Sequence, residues 1–154
     1  MVTVHVLGTA VTCALFVTPV CRLLGPGLGC WLVLLAGAGG NALSALVHGP
    51  PHRALGASTA IFGAVGILGG LAAVRYRTGA TPKRRGWVPV AASLALLGLL
   101  GTGQGSDLAA HLFGFLVGLA EGLAAPRPPG AAVQRVLVAT AAATVAACWL
   151  LALA

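Results

Sequence analysis

A chain of 154 residues with 58% apolar side chains, 7% charged ones and a mean hydropathy of +1.00 cannot enclose its apolar surface within a water-facing shell. It reads as a multi-pass integral membrane protein, with the cell membrane as its expected location, and not as a soluble enzyme. The net charge of +7 comes from basic residues set in short breaks between apolar segments without interleaved aromatics, a pattern of orientation signals and not of a nucleic-acid surface.

Runs long enough to cross roughly 30 Å of hydrocarbon, about 17 to 25 residues each, recur six times along the chain. Helices are expected at about 2–21, 28–47, 57–74, 87–101, 107–125 and 134–153. Between them lie turn formers and charge: "CRLLGPG" with Arg22 and Pro26, "HGPPHR" with Pro50 and Pro51, "RYRTGATPKRRG", "TGQGSD" and "PRPPG". Period-2 alternation is missing, so a strand barrel is excluded, and helices are the remaining way to satisfy backbone groups in lipid. The expected architecture is an all-α, polytopic bundle of about six transmembrane helices forming one domain over 1–154.

Residues 1–20 have no basic stretch before the apolar run and contain His5 and Thr9, so they read as a retained helix and not as a cleaved signal. Counted by break, Lys and Arg fall as Arg22, then Arg53, then Arg75, Arg77, Lys83, Arg84 and Arg85, then none, then Arg127 and Arg135. Alternate breaks therefore hold eight against one, which places 22–27, 75–86 and 126–135 in the cytoplasm and 48–56 and 102–106 outside. Met1 then begins outside, and a further helix upstream is expected.

Polar groups inside apolar segments are costly and default to functional hypotheses. Here they include His5, Thr9, Asn41, Ser44, Ser58, Thr59, Asp107, His111 and Glu121. On this topology His5, Ser58, Asp107 and His111 fall at the outer ends of three helices, at one depth. A serine and a histidine so placed are the minimum parts for nucleophilic catalysis: the imidazole takes the hydroxyl proton, and a helix start at Ser58 offers free N–H groups to an oxyanion.

The stretch "GAST-AIFG", Gly56 to Gly63, followed some fifty residues later by "AHLFGFLVG", resembles the two signature helices of the rhomboid intramembrane serine proteases, Gly-x-Ser-Gly and Ala-His-x-x-Gly-x-x-x-Gly. "HVLGTA...RLLGPG" and "GAGGNALSALVHG" resemble two earlier helices of that family, so the likeness covers about 5–124, with 134–153 as an extra C-terminal helix and the family's first helix absent. The resemblance implies Ser58 as nucleophile, His111 as base, and His5 beside the oxyanion. It implies cleavage of transmembrane protein segments near their outer ends, without a cofactor or metal. Thr9 stands where the family has the oxyanion asparagine, Thr59 where it has glycine, and Phe62 where many members have a tyrosine stacked near the histidine. Thr9 can donate from a shorter reach, and loss of one such donor costs about 10²–10³ in rate; Thr59 puts a β-branched side chain beside the nucleophile and is expected to crowd either the helix contact or the oxyanion space.

Each feature has a plainer reading. A serine at a helix start is commonly an N-cap, an intramembrane histidine a structural hydrogen-bonding group, and Asp107 a cap and not a triad member. Asn41 and Ser44 read as interhelical hydrogen-bond partners and Glu121 as interfacial. Cys13, Cys21, Cys30 and Cys148 lack metal or disulfide-framework spacing. The glycines tip the balance for His111: Gly114 and Gly118, like Gly66 and Gly70, make small-xxx-small faces that allow two helices close enough for a serine–histidine bond. The expected function is thus an intramembrane serine endopeptidase. The alternative is a rhomboid-like pseudoprotease that binds transmembrane segments. A small transporter would show inverted repeats or broken midplane helices, and neither is seen.

Overall fold

The computed structural model describes residues 2–49, 57–79, 91, 95 and 108–154, with the backbone alone for 2–6. Among them are five helices: α1 (Val2–Leu24), α2 (Pro26–His48), α3 (Ser58–Arg77), α4 (Leu108–Ala124) and α5 (Ala131–Leu153). Four, all but α4, are long and apolar enough to cross a membrane, and α4 is a shorter apolar helix of 17 residues. The protein is an all-α, multi-pass membrane bundle. Of the helix expected over 87–101 only Ala91 and Ala95 are among the described residues, and both are helical.

The turns follow their chemistry. Gly25 takes φ +85° between α1 and α2, a left-handed setting that residues with a Cβ avoid, and Pro26 supplies the preset φ of a helix start. Gly49, at φ +67°, ends α2 with its N–H on the Ala45 carbonyl.

Inside lipid, helix association rests on close packing and polar contacts, because tails are as apolar as leucine. Small residues accordingly fill the joints. On α4 the buried positions are Ala110, His111, Gly114, Gly118 and Gly122, one stripe at helical spacing. That stripe lies against α3, the most deeply buried helix, in the most extensive contact of the bundle. A Cβ on Gly114 would meet Thr59, one on Gly118 the Gly63 carbonyl, and one on Gly122 the Ile67 carbonyl. The matched positions rise together, so α3 and α4 run parallel. Contacts of Gly40 with Thr59 and of Gly37 with Ala60 show α2 running antiparallel to α3.

Toward the other end of the bundle Val20, Leu24, Val33, Ala64 and Ile67 form the apolar core that joins α1, α2 and α3. α5 is peripheral and buries only Gln134 and Ala141. It is held to α2 by polar contacts: Gln134 Oε1 accepts from Gly27 N–H (2.7 Å) and Leu28 N–H (3.1 Å), and Trp31 Nε1–H donates to the Leu137 carbonyl (3.0 Å) and to Thr140 Oγ1 (3.1 Å). Gln134 Nε2–H also donates to the Leu24 carbonyl (2.8 Å), so one side chain caps the end of α1 and the start of α2 together.

Candidate active site

Ser58 is the first residue of α3 and His111 lies on the first turn of α4. Because the two helices run parallel with starts at the same end, both side chains reach one level. Ser58 Oγ and His111 Nε2 are 2.8 Å apart, a hydrogen bond between residues separated by 53 positions. With the ring protonated at Nδ1, Ser58 Oγ–H donates to Nε2. His111 is buried at 5% exposure, in the same stripe as the glycines that press α4 onto α3. The sequence expectation that close glycine contact would permit this bond is met in that geometry.

Ser58 does not act as an N-cap. Ala57 holds the cap position, with no side-chain cap bond, and the Ile61 N–H returns to the Ala57 carbonyl. The serine hydroxyl is left for the histidine, and the first turn of a helix in general leaves its N–H groups without partners inside the helix. Phe62, one turn below Ser58 and almost fully buried, stacks on the His111 ring with centroids 4.6 Å apart at 26°. Stacking fixes the plane of the imidazole and so the direction of Nε2.

Of the two places where Thr59 was expected to crowd, the helix contact is the one its methyl occupies. Its methyl points into the joint of α2, α3 and α4, where a Cβ on Gly40 would lie 2.7 Å from Thr59 Cγ2 and one on Gly114 2.8 Å from it. Successive helical residues point about 100° apart, so this bulk is turned away from the Ser58 hydroxyl.

The remaining expected positions are not joined to the pair. Thr9 is half-buried on α1, and among the described residues no hydrogen bond links it to Ser58 or His111. The His5 side chain, Gly56 and Asp107 lie outside the described residues. Of Asn41 and Ser44, expected to bond between helices, Asn41 Oδ1 is buried with no hydrogen-bond partner among the described residues, and Ser44 Oγ lies 3.4 Å from His48 Nδ1. Glu121, expected at an interface, has Oε2 buried with no such partner. Among the described residues no group of three metal-ligating side chains occurs, and the four cysteines are free thiols, Cys21 and Cys30 with their sulfurs 4.0 Å apart.

A serine held at hydrogen-bond distance from a buried imidazole, at the start of two parallel helices joined through glycines, is the arrangement that the sequence resemblance implied. The family described as Rhomboid domain matches residues 3–127. The chain belongs to the rhomboid family. Searches of curated proteins and of solved structures gave no significant match. Rhomboid proteins are in general intramembrane serine proteases, and α1 to α4 with the Ser58–His111 pair fall within the matched range. Gln134 and the rest of α5 fall beyond it. Sequence reasoning passed over Gln134 because it stands at the edge of the last apolar run; the signal was an uncharged polar residue one turn inside a helix start, where an amide can serve neighbouring helix ends.

Proposed function

We propose that this rhomboid protein is a serine endopeptidase of transmembrane segments, with Ser58 as nucleophile and His111 as general base, and that 1–154 forms one domain with α5 as an addition to the family core. The observation that carries the reading is the 2.8 Å Ser58–His111 hydrogen bond in a buried, apolar setting. Ser58 Oγ attacks the scissile carbonyl as its proton passes to His111 Nε2. The imidazolium then protonates the leaving amine, and a water activated by the same nitrogen releases the acyl group. The Ser58 N–H, Thr9 and His5 are proposed donors to the oxyanion, and Gly56 and Phe62 are proposed to line the substrate backbone. Nothing in this sequence of steps asks for a metal or cofactor. Substrates are membrane-embedded proteins, opened near the membrane face at which α3 and α4 begin.

A second reading, a pseudoprotease that binds transmembrane segments without cutting them, draws on Thr9, whose hydroxyl makes no hydrogen bond with the pair. One experiment separates the two. Purified protein in liposomes is treated with a fluorophosphonate and, separately, with a reporter transmembrane substrate. Labelling and cleavage by the parent that both vanish in Ser58→Ala and fall steeply in His111→Ala support the enzyme. Binding of the reporter by an unlabelled, folded parent supports the second reading.

A further inference from the structure

At the end of the bundle remote from Ser58, a cleft of about 540 Å³ opens between the starts of α2 and α5. That volume lies within the range of small-molecule pockets, about 300–1,000 Å³. Its walls include Gly25, Pro26, Pro128 and Pro129, and Val138 and Ala139 extend it along α5. The three prolines fix their own φ, so this wall is preformed. Two polar side chains line it, Gln134 and Arg135. Gln134 already serves Leu24, Gly27 and Leu28, which leaves Arg135 as the group that can meet a ligand.

Arg135 is exposed, in the first turns of α5. The whole chain has only two acidic residues, and among the described residues none pairs with it. Arg127 directly precedes the two lining prolines, and Arg22 ends α1 three residues before Gly25, so the rim gathers positive charge without compensation. A guanidinium matches phosphate oxygens with two parallel N–H donors. Below it the cleft is apolar and continues along the face of α5 that carries Val138, Val145 and Trp149, all exposed. A fixed cation at the rim over an apolar channel is complementary to a molecule with one anionic head and a long apolar tail.

We propose that this cleft binds one anionic phospholipid, its phosphate on Arg135 and an acyl chain along Val138 and Ala139. The lipid bridges α5 to the α1–α2 turn, beside the bonds that Gln134 makes there. The proposal is independent of the catalytic reading.

The test uses the full chain in detergent, with native mass spectrometry to count bound phosphatidylglycerol and phosphatidylcholine of identical chains. Expected is a preference of about tenfold for phosphatidylglycerol in the parent. It should fall below about twofold in Arg135→Gln, be partly retained in Arg135→Lys, which keeps charge but not the fork, and be unchanged in Arg75→Gln at the end of α3. Thermal unfolding without added lipid checks that each variant is folded; if Arg135→Gln is not, Arg135→Lys against Arg75→Gln decides. Equal binding of the two lipids by the parent would overturn the proposal. So would equal losses in Arg135→Gln and Arg75→Gln, which would reduce the effect to general charge. Displacement of the lipid by glycerol phosphate alone would overturn the lipid assignment in favour of a free-phosphate site.

Discussion

Gly114→Ala puts the tightest joint of the site to the test. The added Cβ would stand 2.5 Å from the Thr59 carbonyl oxygen and 2.8 Å from Thr59 Cγ2, where ordinary contact begins at 3.4 Å. The first obstacle is backbone, so rotating a side chain cannot relieve it. The deficit between 2.5 and 3.4 Å, roughly 0.9 Å, must come from α3 and α4 moving apart. Gly114 is one turn from His111 and Thr59 is adjacent to Ser58, so the movement is carried into the pair. Their separation grows from 2.8 Å to about 3.7 Å, outside hydrogen-bond range. Stability changes less: alanine gains about 0.5–1 kcal/mol as a helix former, and overpacking costs about 1–3 kcal/mol. The protein should therefore remain folded, with a net loss of about 1–2 kcal/mol, while fluorophosphonate labelling of Ser58 slows by at least about tenfold, the weight of one lost hydrogen bond of about 1.4 kcal/mol. Gly69→Ala is the control, since its Cβ would meet only Leu119 Cδ1 at 3.7 Å; it should leave labelling unchanged and stability equal or slightly higher. Parent-like labelling in Gly114→Ala, or equal slowing in Gly69→Ala, would refute the claim that glycine contact sets the Ser58–His111 distance.

Thr9→Asn should raise the cleavage rate in liposomes, by up to roughly 10²–10³ if its longer amide reaches the oxyanion, and no increase would remove Thr9 from the proposed donors. Thr59→Gly should not activate the protein: it empties the methyl from the α2–α3–α4 joint, and thermal unfolding should show a loss of about 1–2 kcal/mol from the void and the helical glycine combined. Gln134→Leu leaves the Gly27 N–H and the Leu24 carbonyl without their partner and should cost about 1–3 kcal/mol, read as a lowered unfolding temperature with no change in the initial labelling of Ser58. In a background lacking native cysteines, Thr78→Cys should react with an impermeant maleimide only from the cytoplasmic side and His48→Cys only from outside; the reverse would invert the topology read from the Lys and Arg distribution.

The helices and the reacting pair were legible in the sequence because both depend on short-range regularities. Apolar runs must match the thickness of the bilayer, and a histidine three and seven residues before glycines on one helix must share their face. For Thr59 the sequence left two places open, the helix contact and the oxyanion space, because adjacency to Ser58 does not say which way the helix turns it; it is turned into a joint made by Gly40 and Gly114 from two other helices. Asn41 and Ser44 were polar enough to suggest bonds between helices, and the contact of Ser44 with His48 one turn along the same helix is one that spacing alone allows. Gln134 was harder to read for a different reason: its place near a helix start marks it as able to cap, but its three bonds reach residues 106 to 110 positions away, and nothing local marks those partners.

The separation between Gln134 and its partners also sets an order of assembly. The α1–α2 turn is synthesised more than a hundred residues before the side chain that caps it, so the Leu24 carbonyl and the Gly27 N–H must wait through the making of α3 and α4. Neither Ser58 nor His111 lies on α5, so the contact between them does not draw on that late helix. A chain cut short before residue 134 would therefore keep both members of the serine–histidine pair and the helices that carry them, but would leave the α1–α2 turn as an open seam for membrane quality control to recognise.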